Sequence, residues 1–203
     1  MNASGFTSRM RGRPRSFDLT EVLDRAIQLF RERGYQSASV TQLEEATQLK
    51  TGSLYKAFKN KEGLFLAALH RYLAESARQR RLALETCRTG REELRALLTL
   101  YASTSAGDQG RRGCLVMISA FELTTLDPEA AAEVRRALDR TEALVVEIMR
   151  RGQADGTLRA DLNPQDAARL ILSVLYGMRT LGKTGRSAYE MDALVELALQ
   201  AVT

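Results

Sequence analysis

The chain has 203 residues, 44% hydrophobic and 27% charged, with a net charge of +5 and two cysteines. That length buries a real core in one large or two small domains, two cysteines are too few for a disulfide framework and suit a reducing cytoplasm, and no apolar run approaches the roughly 18 residues of a membrane span. Residues 1–62 carry 11 Lys and Arg against 7 Asp and Glu, whereas the rest is nearly neutral, so a basic head on a neutral body points to a polyanion met by one end of the molecule.

The first 17 residues, MNASGFTSRMRGRPRSF, are positive but lack the apolar stretch of a secretory signal. They read as a basic arm. Arginine on a flexible arm suits the enhanced negative potential of a narrow A·T-rich minor groove, which makes Arg11, Arg13 and Arg15 candidate DNA contacts. The run Arg11-Gly12-Arg13-Pro14-Arg15 is similar to the arginine-glycine-arginine-proline core of AT-hook peptides; a solubilising tail is the alternative.

Helical spacing follows almost everywhere. Leu19, Val22, Leu23, Ala26, Ile27 and Phe30 form one stripe, opened by Asp18 and Glu21 and stopped at Gly34. Ser39 caps a short helix near 40–46, a second covers about 51–57, and Asn60 caps a long one over about 61–86. Further helices are predicted at about 91–105, 113–125, 129–152, 164–182 and 189–202. Asp127-Pro128 and Asn163-Pro164 mark two of these starts. No strand pattern appears, so the predicted class is all-α.

Two short helices joined by a tight turn and resting on a longer one have the layout of a helix-turn-helix. Val40, Leu43, Ala46, Leu49, Leu54 and Phe58 supply the apolar positions that fix the crossing of the pair. Thr51, Ser53, Tyr55 and Lys56 offer donors to base edges and phosphates, Gly52 permits close backbone approach, and Lys61 begins the next helix, where free N–H groups favour an anion. Such a pattern also occurs in helical proteins that read no DNA.

The run Gly34-Tyr35, Ser39-Val40-Thr41, Leu43, Glu45-Ala46, Leu49 and Thr51-Gly52-Ser53-Leu54-Tyr55-Lys56-Ala57-Phe58-Lys59-Asn60-Lys61-Glu62-Gly63-Leu64-Phe65 closely resembles the DNA-binding domain of tetracycline-repressor-type (TetR/AcrR) regulators. The resemblance implies a basic arm over 1–17, a three-helix DNA-binding domain over 18–66 and a ligand-binding and dimerisation domain over 67–203. It further implies that Thr41 touches a phosphate, that Thr51, Gly52 and Ser53 approach bases or backbone, that Tyr55 and Lys61 hold phosphates, and that Lys56 faces the groove. Gln48 stands where the family's turn usually has glycine, Lys50 where a capping serine is common, and Ala57 where histidine is frequent.

In the C-terminal part, Leu170, Val174, Met178, Leu194, Leu197, Ala198 and Ala201 lie on two apolar helices. These pack within one chain or, as the resemblance implies, form a four-helix homodimer interface, and a two-fold dimer predicts a palindromic double-stranded operator. A cavity for a small-molecule effector is expected among Leu97, Tyr101, Met117, Phe121, Leu144, Ile148, Leu175 and Tyr176, unless these are simply core. Cys114 follows Arg111-Arg112-Gly113 at an expected helix start, where positive charge and free N–H groups favour a thiolate. It is a candidate redox or electrophile sensor, or else a small buried hydrophobe.

An enzyme needs convergent ionisable or metal-binding groups. The single histidine, His70, has no H-x-x-x-H partner, and no C-x-x-C, G-x-S-x-G or phosphate-binding glycine loop occurs. The expectation is a cytoplasmic regulator without catalysis, metal or cofactor, usually a repressor in the resembled family. The alternative is a helical protein that binds DNA or a partner structurally and senses nothing.

Overall fold

The computed structural model describes residues 18–203, which form ten α-helices and no strand. Arg11, Arg13 and Arg15 lie outside the described residues.

The order is α1 (Leu19–Ser37), α2 (Val40–Thr47), α3 (Thr51–Phe58), α4 (Lys61–Leu84), α5 (Gly90–Ser105), α6 (Gly107–Arg112), α7 (Leu115–Phe121), α8 (Pro128–Ala154), α9 (Pro164–Gly182) and α10 (Ala188–Gln200). Most starts have an evident local cause. The side chains of Asp18, Ser39, Asn60, Asp127 and Asn163 each accept a hydrogen bond from an otherwise orphaned N–H of the first turn. Ser39 and Gln42 complete a reciprocal capping box.

Two boundaries differ from the expectation. The stop at Gly34 is a break inside α1, with φ 78° and ψ 171°, after which Tyr35 to Ser37 turn toward α2. The helix expected over 113–125 is shorter, α7 ending at Phe121, and a further short helix, α6, precedes it across Gly113 (φ 81°). The α6 sequence Gly-Asp-Gln-Gly-Arg-Arg reads as a polar loop, yet Gly110 belongs there because a Cβ would stand 2.1 Å from the Ser105 carbonyl oxygen.

Two apolar clusters hold the chain. One joins the inner faces of α5, α8, α9 and α10 through Leu97, Leu98, Ile148, Met149, Ile171, Leu175 and Met191, all buried. The other packs Phe30, Tyr35 and Phe65 against Leu43 and Leu54, with Phe30 and Phe65 edge to face at 5.1 Å. This second cluster continues into Leu115, Leu126, Ala130 and Val134 of the C-terminal part. The reading head therefore rests on α7 and the start of α8 through shared core, and α4 runs unbroken across position 66.

Candidate nucleic-acid interface and cavity

The α2–α3 pair turns through Gln48, Leu49 and Lys50. Gln48 adopts the left-handed conformation (φ 58°, ψ 26°) that glycine would enter at lower cost, by roughly 1–2 kcal/mol. Its amide Nε2 donates to the Glu45 carbonyl at 2.7 Å, tying the strained residue back to α2. Lys50 precedes α3 but supplies no cap. Glu44 does so instead: its Oε1 accepts from both the N–H and the hydroxyl of Thr51. Those bonds, the hydroxyl first, hold the Glu44 carboxyl below its ordinary pKa. Sequence patterning does not single out Glu44; an uncapped helix start with an acid one element earlier is the signal that finds it.

This cap changes the part expected of Thr51. Its hydroxyl proton is committed to Glu44, so it is not free to donate to a phosphate or base. The other α3 candidates stand outward. Gly52, Ser53, Tyr55 and Lys56 are exposed and span one arc of the helix, opposite the buried Leu54. A Cβ on Gly52 would meet nothing within 4 Å. Nothing inside the protein therefore requires a glycine there. Thr41 is exposed at the start of α2.

Lys61 also departs from expectation. Its ammonium lies 4.5 Å from the centre of the Tyr35 ring and donates to the Gln36 carbonyl at 3.4 Å. Half-buried, it has a pKa pushed below the ordinary lysine value, chiefly by desolvation. It braces the α1–α2 connection rather than reaching outward. Just before it, Lys59 (φ 71°, ψ −52°) sits at the centre of a γ-turn closed by the Asn60 N–H on the Phe58 carbonyl at 2.9 Å.

Behind the head lies a cavity of about 300 Å³ between α4, α5, α7, α8 and α9. Tyr101, Met117 and Tyr176 are on its wall, as is Cys114. Leu97, Ile148 and Leu175 are not, being wholly enclosed in the α5–α8–α9 core, and Leu144 is packed at that core's edge. Phe121 is 77% exposed, because the short α7 ends there and turns its last residue to solvent. Sequence periodicity finds apolar faces but not which of them face a void.

Cys114 is buried and accepts a hydrogen bond from the Tyr72 hydroxyl at 3.4 Å. Arg111 and Arg112, expected to polarise it, are exposed, and Arg111 pairs with Asp108. Its polar neighbour is instead Tyr72, on α4. Arg179 is the second residue that patterning alone misses. It is the one charged side chain between Leu170 and Leu181 on α9, and it too reaches the cavity wall.

The pairing candidates divide. Leu170 and Leu197 are 50% and 62% exposed, Ala201 is exposed, and Val174 and Leu194 are half-buried. Met178 and Ala198 are buried within the protomer against the α5–α8–α9 core, so they are unavailable to a second chain.

The profile of tetracyclin repressor-like C-terminal domains matches residues 90–201, and that of the bacterial regulatory proteins of the tetR family matches residues 22–68. The HTH-type transcriptional repressor ComR of Escherichia coli (strain K12) is 28% identical over 189 residues, 93% of this chain and 89% of its own. The HTH-type transcriptional repressor DhaR of Mycobacterium sp. (strain GP1) is 24% identical over 181 residues, 89% of this chain and 90% of its own. The TetR family transcriptional regulator CifR, solved as a cysteine-substituted form complexed with 26-bp double-strand operator DNA, superposes with a TM-score of 0.82 at 37% identity, covering 95% of this chain and all of that one.

Proposed function

The chain belongs to the TetR family of bacterial transcriptional regulators, and from that premise we propose that it is a homodimeric repressor, holding a palindromic operator until a small molecule releases it. It is a DNA-binding regulator with an all-helical fold. The observation that carries the DNA-binding face is the exposed arc of α3 around Gly52, a glycine with open space where its side chain would be. A helical glycine costs about 1 kcal/mol relative to alanine, and close approach of a DNA backbone is the reason to keep it. Gly52, Ser53, Tyr55 and Lys56, with Thr41 on α2, form the proposed contact surface, joined by Arg11, Arg13 and Arg15 of the arm. Residues 18–66 are the proposed head and 67–203 the regulatory part.

The exposed residues Leu170 and Leu197 support pairing across α9 and α10. A Cβ on Gly177, one turn beyond Val174, would also meet nothing within 4 Å, which lets a second helix come close. The cavity supports an effector, and α7 supports its coupling to the head: Val116 and Met117 line the void, while Glu122, at the end of the same helix, binds the backbone of α1. Cys114 offers a second route of release. Its sulfur would add to the aldehyde carbon of an electrophile such as methylglyoxal, the thiol proton passing to the former carbonyl oxygen. Catalysis is not part of this reading, which rests on regulators as relatives. We read the protein as cytoplasmic; no described helix is long and apolar enough to cross a membrane.

Footprinting on genomic fragments selected by the purified protein tests the proposal. Two sharply protected half-sites one helical turn or a multiple apart, lost on adding a metabolite extract, are expected. Broad coverage indifferent to any extract would mean a structural DNA binder without a sensor. For the cysteine route, Cys114→Ser should abolish release by methylglyoxal; undiminished release removes Cys114 from the mechanism.

A further inference from the structure

The cavity wall carries three arginines, Arg80, Arg140 and Arg179, and no Asp or Glu. Arg140 is committed to Glu133 at 2.7 Å. Arg179 has no carboxylate partner among the described residues. Its Nη1 donates to the Thr104 carbonyl at 3.0 Å, and its guanidinium stacks on the Tyr101 ring at 4.6 Å. These contacts hold the group from one side and leave its Nε buried with no hydrogen-bond partner. One helical turn earlier on α9, the Tyr176 hydroxyl is likewise buried and unpartnered. The nearby Thr141 hydroxyl donates to the Ala137 carbonyl at 2.9 Å. Burial pushes the Tyr176 pKa well above its ordinary value, so the hydroxyl remains a donor.

Two unpartnered donors, one of them cationic, on the wall of one void are costly unless something fills it. Leu73, Leu100, Val116, Met117 and Leu138 form the apolar part of the wall, beside Ser76, Gln79, Arg80, Arg140 and Thr141. At about 30 Å³ per water, a void of this size holds on the order of ten small heavy groups. We propose that the cavity takes a small, mostly apolar organic carboxylate, its head bound by the Nε edge of Arg179 and by the Tyr176 hydroxyl, its tail among the leucines and methionine. A guanidinium edge matches a carboxylate in geometry and charge. The inference rests on the reading of this void as an effector site and names the chemistry of what enters it.

The test is calorimetric titration of the full-length protein, without DNA, using octanoate and 3-phenylpropionate beside the matching alcohols and amines. Each carboxylate should bind at least about tenfold more tightly than its alcohol, the scale of a hydrogen-bonded charge. Arg179→Met should erase that preference while leaving the alcohols within about twofold. Tyr176→Phe, which removes a single oxygen, should weaken the carboxylates several-fold and serves if the methionine variant fails to fold. Alcohols or amines binding as tightly as acids, a preference that survives Arg179→Met, or no binding of either acid would each overturn the proposal. A carboxylate that binds without releasing operator DNA would uphold it and defeat the sensor reading instead. A neutral compound that binds and releases DNA would do the reverse.

Discussion

The carboxylate of Glu122 occupies the space that a side chain at Gly34 would need: a Cβ there would lie 2.6 Å from Glu122 Oε1. From that position it accepts hydrogen bonds from the N–H groups of Tyr35 at 2.8 Å and Gln36 at 3.2 Å, while the Gln36 side chain donates to the Thr125 carbonyl at 2.8 Å. The break in α1 is thus filled by the end of α7, and the glycine is required both by its positive φ and by the visiting carboxylate.

Removing that carboxylate leaves the partly buried Tyr35 N–H without an acceptor, which costs about 1–3 kcal/mol, and hands the exposed Gln36 N–H to water. Glu122→Ala is expected to lower the melting temperature by several degrees, since about 1 kcal/mol corresponds to roughly 2–4 °C at this chain length. Because the same bonds link α7 to the head, the variant should also respond less to whatever releases the wild type from DNA. A thermal scan together with an operator release curve checks both. A lower melting temperature with an unchanged release curve would mean that Glu122 holds the fold but transmits nothing.

Gly52 and Gly63 provide an internal contrast. Gly52 has open space around its missing side chain, whereas a Cβ on Gly63 would stand 2.0 Å from the Phe58 carbonyl oxygen. Gly52→Ala should therefore raise stability by about 0.5–1 kcal/mol and still weaken operator binding. Gly63→Ala should destabilise the head by displacing the end of α3. Chemical denaturation paired with a binding titration separates the two effects. Tight DNA binding by Gly52→Ala would show that no backbone approaches that point.

Much of the fold is legible in the sequence, because amphipathic stripes and capping residues are local signals. Ser39 and Asn60 bond the helix starts they precede, and the alternation of Leu54 with Tyr55 and Lys56 separates core from surface within α3. The site is less legible, because its geometry depends on contacts distant in sequence. Glu122 and Tyr35 are 87 positions apart, and Arg179 reaches Thr104 across 75. Phe121 and Leu197 have the apolar character of core residues, and only the ends and crossings of their helices turn them outward. Lys61 has the sequence position of a phosphate ligand, and it is the chain turn at Tyr35 that captures it.

The two lysines of the head should accordingly behave differently toward salt. Each phosphate that the protein no longer neutralises reduces the slope of log K against log salt by about 1. Lys56 is exposed on the outward arc of α3, so Lys56→Met is expected to reduce the slope by about that amount. Lys61 is half-buried against the Tyr35 ring, so Lys61→Met should leave the slope nearly intact and lower thermal stability instead. Operator titrations between low and moderate salt decide this. A slope reduced by a full unit in Lys61→Met would mean that its ammonium leaves Tyr35 for a phosphate.

Pairing is tested by substituting residues that look alike in sequence but differ in burial. Leu197 is 62% exposed on α10, whereas Met178 on α9 is fully enclosed by its own protomer. A charge at an exposed position away from internal contacts changes stability by about 0.5 kcal/mol or less, so Leu197→Asp should fold normally and sediment at protomer mass where the wild type sediments at twice that. Met178→Asp places a carboxylate inside the core and should fail to fold. If two heads act on one operator, each raises the effective concentration of the other, a gain of about 10²–10⁴ in affinity. The dissociated Leu197→Asp protomer should lose a gain of that order on a full palindrome yet bind an isolated half-site as the wild type does. Sedimentation velocity on both variants, with titration of full and half operators, measures each step. A Leu197→Asp protein that stays dimeric would move the interface away from the exposed face of α10.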